Sequence, residues 1–225
     1  MIHLTREGSV LILRLDAGEN RFSPDAVAEI NAKLDEVEKA DGPKALVTTG
    51  TGKFYSNGLD LDFMMKQERD GAGRYLASVL ELLGRVLTFP CFTVAAVNGH
   101  AFGAGAQLAL VHDLRLMRAD RGFFCMPEAD MKVPLHPGMT AILRARLPEQ
   151  TAHEVIVTSR RFGGEEAARR GIAERALAEA ELLPAAIAAA AEMADKAHPV
   201  QHQLKRGLYA PVLEALSRPL SALGT

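Results

Sequence analysis

The fold is decided by the stretch from Val94 to Leu110, which reads VAAVNGHAFGAGAQLAL. It continues an apolar run that begins at Phe92, and a short run of this kind is typical of a buried strand. The residues Asn98-Gly99-His100-Ala101 break the run. From Gly103 to Val111 small residues lie on several sides of a helical pattern, which predicts a tightly packed helix. A strand followed at once by a packed helix favours an α/β fold.

The rest of the chain divides into a mixed part and a helical part. Before Pro137 the patterns predict a β-hairpin, a helix that begins at Ser23-Pro24, and further strands and helices. The predicted strands cover 2–4, 10–15, 45–49, 92–97, 114–118 and 123–126, and two further helices cover 74–87 and 103–111. Beyond Pro137 little strand signal remains, and alanine-rich helical stretches cover 139–147, 149–157, 165–170 and 182–196. We therefore expect an α/β core over 1–137 and a helical C-terminal region over 138–225.

Composition narrows the classes of partner. The chain has 225 residues, 48% of them hydrophobic, which is enough for a substantial core. Its net charge of -2 gives no sign of a polyanion-binding surface, so we expect no nucleic-acid partner. Charges interrupt every apolar run before it could span a bilayer, so we expect no membrane partner. The first residues lack a signal-peptide pattern and the last five, SALGT, are no peroxisomal address, which favours the cytoplasm.

Several other motifs lack the spacing that their chemistry requires. Cys91 and Cys125 lie in apolar segments without CxxC or Cys/His spacing, so we expect buried thiols and no metal site. The sequence GTGK at 50–53 lacks the spacing of a P-loop. The glycines of 99–105 lack the order of a dinucleotide-binding loop, and no serine lies in a G-x-S-x-G elbow. His100, His112 and His136 have no metal-ligand spacing and are interpreted as structural residues.

Three features remain that carry chemistry. A loop over 54–60, FYSNGLD, follows one predicted strand, and the loop over 98–105 follows another. Met126-Pro127-Glu128 follows a third, short strand. A strand-to-loop turn can leave a backbone N–H unpaired, and the second turn also opens a helix whose first N–H groups are free. Two such N–H groups that converge on one oxygen form an oxyanion hole.

These three features resemble the crotonase superfamily, the enoyl-CoA hydratase and isomerase group. FYSNGLDL over 54–61 resembles the family's first oxyanion loop, and the stretch over 94–110 resembles its second. The segment over 112–133 resembles the strands and the catalytic-glutamate region that follow. The resemblance implies a spiral of ββα turns with a helical C-terminal region that mediates homotrimers or dimers of trimers. It also implies an acyl-CoA thioester as the substrate and no separate cofactor.

The resemblance also implies roles for individual residues. The N–H groups of Leu59 and Ala104 would hold the thioester oxygen, and Glu128 would be the catalytic carboxylate. The residues expected to bind the rest of the substrate are Ser56, Asn57, Gly58, Asp60, Leu61, Gly103 and Gln107. Phe63, Met64 and Met65 are candidates for an acyl pocket, and a core role is an equal alternative for them. Phe123, Phe124, Met126 and Val133 are candidates for an apolar wall around Glu128.

A single substitution separates two reactions. Hydratases of this family carry two glutamates, and here the first position is Gln107 while the second is Glu128. A glutamine can hydrogen-bond a water molecule but cannot exchange a proton with it near neutral pH. One carboxylate suits a proton shuttle, which the resemblance implies for Δ3,Δ2-enoyl-CoA isomerases of fatty acid β-oxidation. A hydratase or another crotonase-type enzyme is the alternative, and an acyl-CoA-binding or scaffold protein is the non-enzymatic one.

Overall fold

A parallel sheet forms the centre of the protein, as a computed structural model shows for residues 1–219. Its strand order is β1-β2-β4-β7-β9-β11, in which β1 and β2 form an antiparallel hairpin and the remaining pairs are parallel. The strands are β1 (Ile2–Glu7), β2 (Val10–Leu15), β3 (Arg21–Phe22), β4 (Ala45–Gly50), β5 (Phe54–Ser56), β6 (Gly58–Leu59), β7 (Phe92–Val97), β8 (His100–Phe102), β9 (Leu114–Arg118), β10 (Phe124–Cys125) and β11 (Arg175–Leu177). The predicted hairpin and the predicted strands over 45–49, 92–97 and 114–118 are confirmed.

Helices connect and cover these strands. They are α1 (Pro24–Lys39), α2 (Leu61–Met65), α3 (Arg69–Leu87), α4 (Ala104–Leu110), α5 (Glu128–Met131), α6 (Pro137–Arg146), α7 (Glu149–Thr158), α8 (Gly164–Arg169), α9 (Glu179–Glu192), α10 (Pro199–Leu208) and α11 (Ala210–Leu216). Ser23 caps α1 through its hydroxyl, which accepts from the N–H of Ala26, as the Ser-Pro pair predicted. Within residues 1–219 no helix is long and apolar enough to cross a membrane.

The short strands correct the sequence-based prediction. The loop expected over 54–60 contains β5 and β6, and the break expected at 98–101 contains the start of β8. In space β5 and β10 flank β8 in a second sheet, while β3 pairs with β6 in a third. The prediction of little strand signal beyond Pro137 is also wrong at β11, which extends the main sheet beside β9. The division at 137/138 stays a prediction, and its last residues, with the SALGT ending, lie outside the described residues.

The two faces of the main sheet bury separate apolar clusters. Along β2, Val10 and Ile12 belong to one cluster and Leu11 and Leu13 to the other, because successive side chains of a strand point to opposite faces. Helix α9 covers the smaller cluster through Leu182, Ala186, Ala190 and the following Ala194, which recur at helical spacing. Their small side chains let the helix lie close to the strands. This packing confirms that 182–196 contains a packing helix.

The C-terminal helices are also tied to the core by charge. The buried Lys205 of α10 donates to Asp113 Oδ2 at 2.6 Å and to the carbonyl of Cys91 at 2.9 Å. The same carboxylate oxygen accepts from the backbone N–H and the hydroxyl of Thr93. A buried ammonium group with this many partners fixes α10 against the ends of β7 and β9.

Candidate active site

A cavity of about 550 Å³ opens between the short sheets and the helices that cover them. Its walls are mainly apolar, with a few polar side chains. It is lined by Arg21, Asn57, Leu59, Leu61, Asp62, Met64, Met65, Leu76, Phe102, Gly103, Ala104, Pro127, Glu128, Met131, Val133, Pro134, Leu135, His136 and Met139. An apolar cleft with few convergent polar groups is the usual form of a small-molecule site.

Two main-chain turns meet at the floor of this cavity. A methyl group added to Gly58 would lie 2.6 Å from the carbonyl oxygen of Phe102 and 2.9 Å from the backbone nitrogen of Ala104. A methyl group on Gly105 would lie 2.2 Å from the carbonyl oxygen of Ser56. The φ angle of Gly58 is +80°, which also favours glycine. The turn that leads to Leu59 therefore packs directly against the first turn of α4, with no room for a side chain between them.

The second turn ends in a free helix N-terminus. Ala104 is the first residue of α4, and the preceding Gly103 has φ +51° and ψ -121°. The first N–H groups of a helix have no carbonyl partner within that helix. Ala104 is 2% exposed and lines the cavity, so its N–H is available at the floor without being open to bulk water.

Hydrogen bonds hold the first turn in place. Ser56 is fully buried, and its hydroxyl donates to the carbonyl of Asn20 and accepts from the N–H of Gly58. On the far side of the turn, the Tyr75 hydroxyl accepts from the N–H of Asp60 at 2.8 Å and donates to a β3 carbonyl at 2.6 Å. Ser56 and Tyr75 therefore fix the backbone before and after Leu59.

Glu128 lies at the cavity wall beside the second of these turns. It is the first residue of α5, and its Oε1 lies 3.9 Å from where a methyl group on Gly103 would be. Its Oε2 is buried and has no hydrogen-bond partner within residues 1–219. Burial disfavours the ionised carboxylate and raises the pKa of Glu128. A carboxyl group of raised pKa at the wall of an apolar cavity suits proton transfer.

Gln107 lies behind the floor and does not line the cavity. It is fully buried, and its Nε2 donates to the carbonyl of Met139 at 3.2 Å and contacts Met126 Sδ at 3.7 Å. Its Oε1 is buried without a partner among residues 1–219. Gln107 thus connects α4 to α6 through the carbonyl of Met139, a residue that lines the cavity.

The structure gathers most of the predicted site residues and separates the others. The cavity is lined by the predicted Asn57, Leu59, Leu61, Gly103, Ala104 and Glu128. Ser56, Gly58, Asp60 and Gln107 do not line it. Asp60 instead caps α2, where its carboxylate accepts from the N–H of Phe63. These four residues shape the turns or the layer beneath them.

Some of the residues predicted to form apolar walls line the cavity. Met64 and Met65 line the cavity, while Phe63 packs edge-on against Tyr75 at 5.2 Å between ring centroids. Of the candidates around Glu128, only Val133 is among the lining residues. The side chains of Phe124 and Met126 are buried in the core, and Phe123 is partly exposed elsewhere.

Sequence reasoning missed Arg21 and His136 as lining residues. Arg21 lies at the mouth, where its guanidinium pairs with Asp62 and Glu19 at 2.7 Å each. It comes there because β3 pairs with β6, and a two-residue strand leaves no periodic signal. His136 accepts from the N–H of Gly138 through Nδ1, and its Nε2 lies 2.9 Å from the carbonyl of Arg218. His136-Pro137 at the start of α6 is the helix-cap pattern that could have located it.

These features together define the class of protein. A parallel α/β spiral, two turns that meet at one point, and a buried carboxylate above them are the arrangement of the crotonase class. Residues 5–222 match the Enoyl-CoA hydratase/isomerase family, and the chain belongs to that family, whose members are enzymes. The family and fold predicted from the sequence are confirmed.

Individual relatives agree with this placement. Enoyl-CoA delta isomerase 2, peroxisomal, of Arabidopsis thaliana is 35% identical over 189 residues, covering 80% of this chain and 79% of that protein. Carnitinyl-CoA dehydratase of Escherichia coli (strain K12) is 36% identical over 192 residues, covering 81% of this chain and 70% of that protein. The solved apo structure of an enoyl-CoA isomerase from Mycobacterium tuberculosis superposes with a TM-score of 0.88 at 25% identity, covering 96% of this chain and 93% of that chain.

Proposed function

We propose that this protein is a Δ3,Δ2-enoyl-CoA isomerase that converts a 3-enoyl thioester into the trans-2-enoyl thioester. The observation that carries this proposal is the state of Glu128. Among residues 1–219 two carboxylates line the cavity, but Asp62 is exposed and paired with Arg21. Glu128 is more buried and has no ion pair within residues 1–219. One unpaired carboxylate beside an anion-stabilising floor is sufficient for a proton shuttle.

The floor would stabilise the enolate. In this proposal the N–H groups of Leu59 and Ala104 donate to the thioester oxygen, on which negative charge develops as a C2 proton leaves. A fixed donor of this kind contributes about 3 to 4 kcal/mol to transition-state stabilisation. The contact between the Gly58 turn and the start of α4 supports the proposal, because it brings the residue that precedes Leu59 against the backbone nitrogen of Ala104.

Glu128 would move the proton. Its ionised carboxylate removes a proton from C2, and the electrons of that C–H bond pass into the enolate. The enolate then takes the proton back from Glu128 at C4, which leaves the double bond between C2 and C3. Because the same group gives and takes the proton, no second acid is required. The raised pKa of Glu128 brings its basicity closer to what such a transfer needs.

Hydration or dehydration is the second candidate, and one similarity favours it. The Escherichia coli relative is named Carnitinyl-CoA dehydratase, whereas the Arabidopsis relative is named an enoyl-CoA delta isomerase. Addition of water would need a second proton-transfer group beside Glu128. Gln107 stands in the position that the hydratase pattern gives to that group, but its amide donates to the carbonyl of Met139 and Gln107 is not among the lining residues. The geometry therefore supports the isomerase better.

The proposal extends to substrate contacts, physiological role and assembly. Asn57 and Leu61, on either side of Leu59 at the cavity wall, would contact the pantetheine arm of the substrate. The physiological role would be fatty acid β-oxidation, in the cytoplasm.

A homotrimer would be the working assembly, and Val200, Leu204 and Leu208 form an exposed apolar row on α10 that a neighbouring subunit would cover. Light scattering of the purified protein measures the assembly directly.

The deciding experiment follows the conversion of 3-hexenoyl-CoA by the absorbance of the conjugated product. The wild-type protein should form the 2-enoyl thioester, and Glu128→Gln should lose about 10²- to 10⁴-fold in kcat because the base is gone. Glu128→Gln should still bind the thioester, as measured by calorimetry. Formation of a 3-hydroxyacyl-CoA from a 2-enoyl-CoA at a comparable rate would favour the hydratase. Binding without any conversion by the wild type would favour the non-enzymatic alternative.

A further inference from the structure

A buried chain of three side chains lies beneath the cavity floor. The Tyr55 hydroxyl lies 2.7 Å from Thr48 Oγ1, and Thr48 Oγ1 lies 2.9 Å from His112 Nε2. His112 Nδ1 in turn lies 2.7 Å from the carbonyl oxygen of Leu108. All three side chains are buried, and none of them lines the cavity. This series of hydrogen-bonded side chains therefore joins β4, β5 and α4 without touching the substrate site.

The direction of each hydrogen bond in this series of side chains is fixed. A carbonyl oxygen only accepts, so the Nδ1–H of His112 donates to Leu108. Burial lowers the pKa of His112 to about 4, and the ring is therefore neutral at neutral pH. Its Nε2 then has only a lone pair, which accepts from the Thr48 hydroxyl. Thr48 Oγ1 also accepts from the Tyr55 hydroxyl, so the donor and the acceptor of every hydrogen bond are assigned.

The two ends of this series of side chains adjoin the two turns of the site. Tyr55 directly precedes Ser56, whose carbonyl oxygen packs against Gly105 of α4. Leu108 lies one helical turn after Ala104. We propose that Tyr55, Thr48 and His112 are positioning residues, which hold the turn of Leu59 and the start of α4 at the separation that an enolate oxygen requires. This inference rests on the proposed isomerase function and adds residues that act on it through the backbone.

The expected effect falls on kcat. Thr48→Val removes the middle hydroxyl and breaks both side-chain links while keeping the shape of the residue. A small displacement of oxyanion donors costs transition-state stabilisation more than substrate binding, so kcat should fall about tenfold with KM within about twofold of the wild type. Thr48→Ser keeps the hydroxyl and should restore most of the rate. Tyr55→Phe breaks only the outer link and should fall between them.

A matched control separates positioning from simple loss of stability. Thr151 in α7 is buried, and its hydroxyl donates to the carbonyl of Arg170 at 2.9 Å, away from the cavity. Thr151→Val removes the same atoms and one buried hydrogen bond. It should lower the melting temperature by less than Thr48→Val, because one hydrogen bond is lost rather than two, and leave kcat unchanged; Tyr55→Phe, which also loses one hydrogen bond, is its match in stability. Equal kcat values for Thr48→Val and Thr151→Val would overturn the inference. If Thr48→Val does not fold, Tyr55→Phe takes its place against the same control.

A spectroscopic measurement distinguishes this inference from the function on which it rests. Cinnamoyl-CoA is a conjugated thioester whose absorbance moves to longer wavelength when its carbonyl oxygen accepts strong hydrogen bonds. Bound to the wild type it should show such a shift, and bound to Thr48→Val a smaller one. No shift with the wild type would reject the proposed oxyanion site, and the positioning role with it. Equal shifts with the wild type and with Thr48→Val would reject the positioning role alone.

Discussion

The floor and the outer wall of the cavity are built in different ways. The floor consists of backbone: Gly58 and Gly105 pack so closely against the opposite turn that neither could carry a methyl group. The outer wall consists of side chains, among them Met65, which is 77% exposed, and Met131, which is 45% exposed. Methionine is unbranched and adapts to the shape of its neighbours.

The difference separates two tasks. In the proposed mechanism, stabilisation of a developing charge needs donors fixed before the reaction, and a floor of interlocked backbone would supply them. Acceptance of an acyl chain needs an apolar surface but no exact fit, which exposed methionines supply. Changes to the floor should therefore reduce turnover, whereas changes to the wall should affect the choice of substrate.

Gly58→Ala is the most direct way to break the floor. The added methyl group would lie 2.6 Å from the carbonyl of Phe102 and must push the two turns apart. Loss of one well-placed oxyanion donor costs about 10²- to 10³-fold in kcat, and we expect a loss of this size in the conversion of 3-hexenoyl-CoA. Steady-state kinetics with the purified variant measures it.

Gly52→Ala is the control for this prediction. Gly52 also has a positive φ, +71°, but an added methyl group would meet no atom within 4 Å. Both variants carry the left-handed strain of about 1 to 2 kcal/mol, so both should melt at lower temperature. Only Gly58→Ala should lose turnover. If Gly58→Ala turns over normally, the contact between the turns is not what forms the floor.

The difference between floor and wall also explains what the sequence could predict. The strand over 92–97 has a continuous apolar run and the helix over 103–111 a helical pattern, and both were predicted correctly. Strands β5, β6 and β8 have two or three residues each, too few for an alternating pattern, and they exist because a neighbouring strand completes their hydrogen bonds. The ion pair of Lys205 also could not be predicted from local sequence, because its partner Asp113 lies 92 residues earlier. Motif resemblance singled out Leu59, Ala104 and Glu128, which line one cavity, but the hydrogen bond from Gln107 to the carbonyl of Met139 depends on packing between distant parts of the sequence.

Glu128 stands between floor and wall, and its pH dependence tests the mechanism. Proton removal needs the ionised carboxylate, and burial raises the pKa of Glu128 above its ordinary value of 4.5. The rate kcat/KM should therefore fall about tenfold per pH unit below that raised pKa. A pH–rate profile at fixed ionic strength measures the midpoint. A midpoint at or below 4.5 would contradict the assignment of Glu128 as the base.

Stability gives an independent view of the same group. Because the folded protein holds the Glu128 proton more tightly than the unfolded chain, its contribution to stability is complete below pH 4.5 and is lost as the pH rises through the raised pKa. Glu128→Gln cannot ionise and escapes this loss. The melting temperature of the variant minus that of the wild type should therefore increase from pH 4 to pH 8. A difference that does not change with pH would show that burial does not perturb this carboxyl group.

Gln107→Met tests whether the residue beneath the floor touches the substrate. The variant loses the hydrogen bond to the buried carbonyl of Met139, which should lower the free energy of unfolding by about 1 to 2 kcal/mol. Because Gln107 does not line the cavity, kcat should stay within about threefold of the wild type. Urea denaturation and kinetics on the same preparation measure both. A loss of turnover as large as that of Glu128→Gln would place the Gln107 amide in contact with the reacting thioester.

Met65→Ala should have the smallest effect and probes the wall alone. The side chain is largely exposed, so its removal leaves no buried void and should hardly change the melting temperature. Truncation removes part of the apolar surface that a long acyl chain would contact, which predicts a KM about two- to fivefold higher for a C10 or C12 substrate. A C6 substrate would not reach as far and should keep its KM, and kcat should be unchanged for both. An equal rise in KM for both lengths would place Met65 against the pantetheine arm, whereas a fall in kcat would show that the wall and the floor are mechanically coupled.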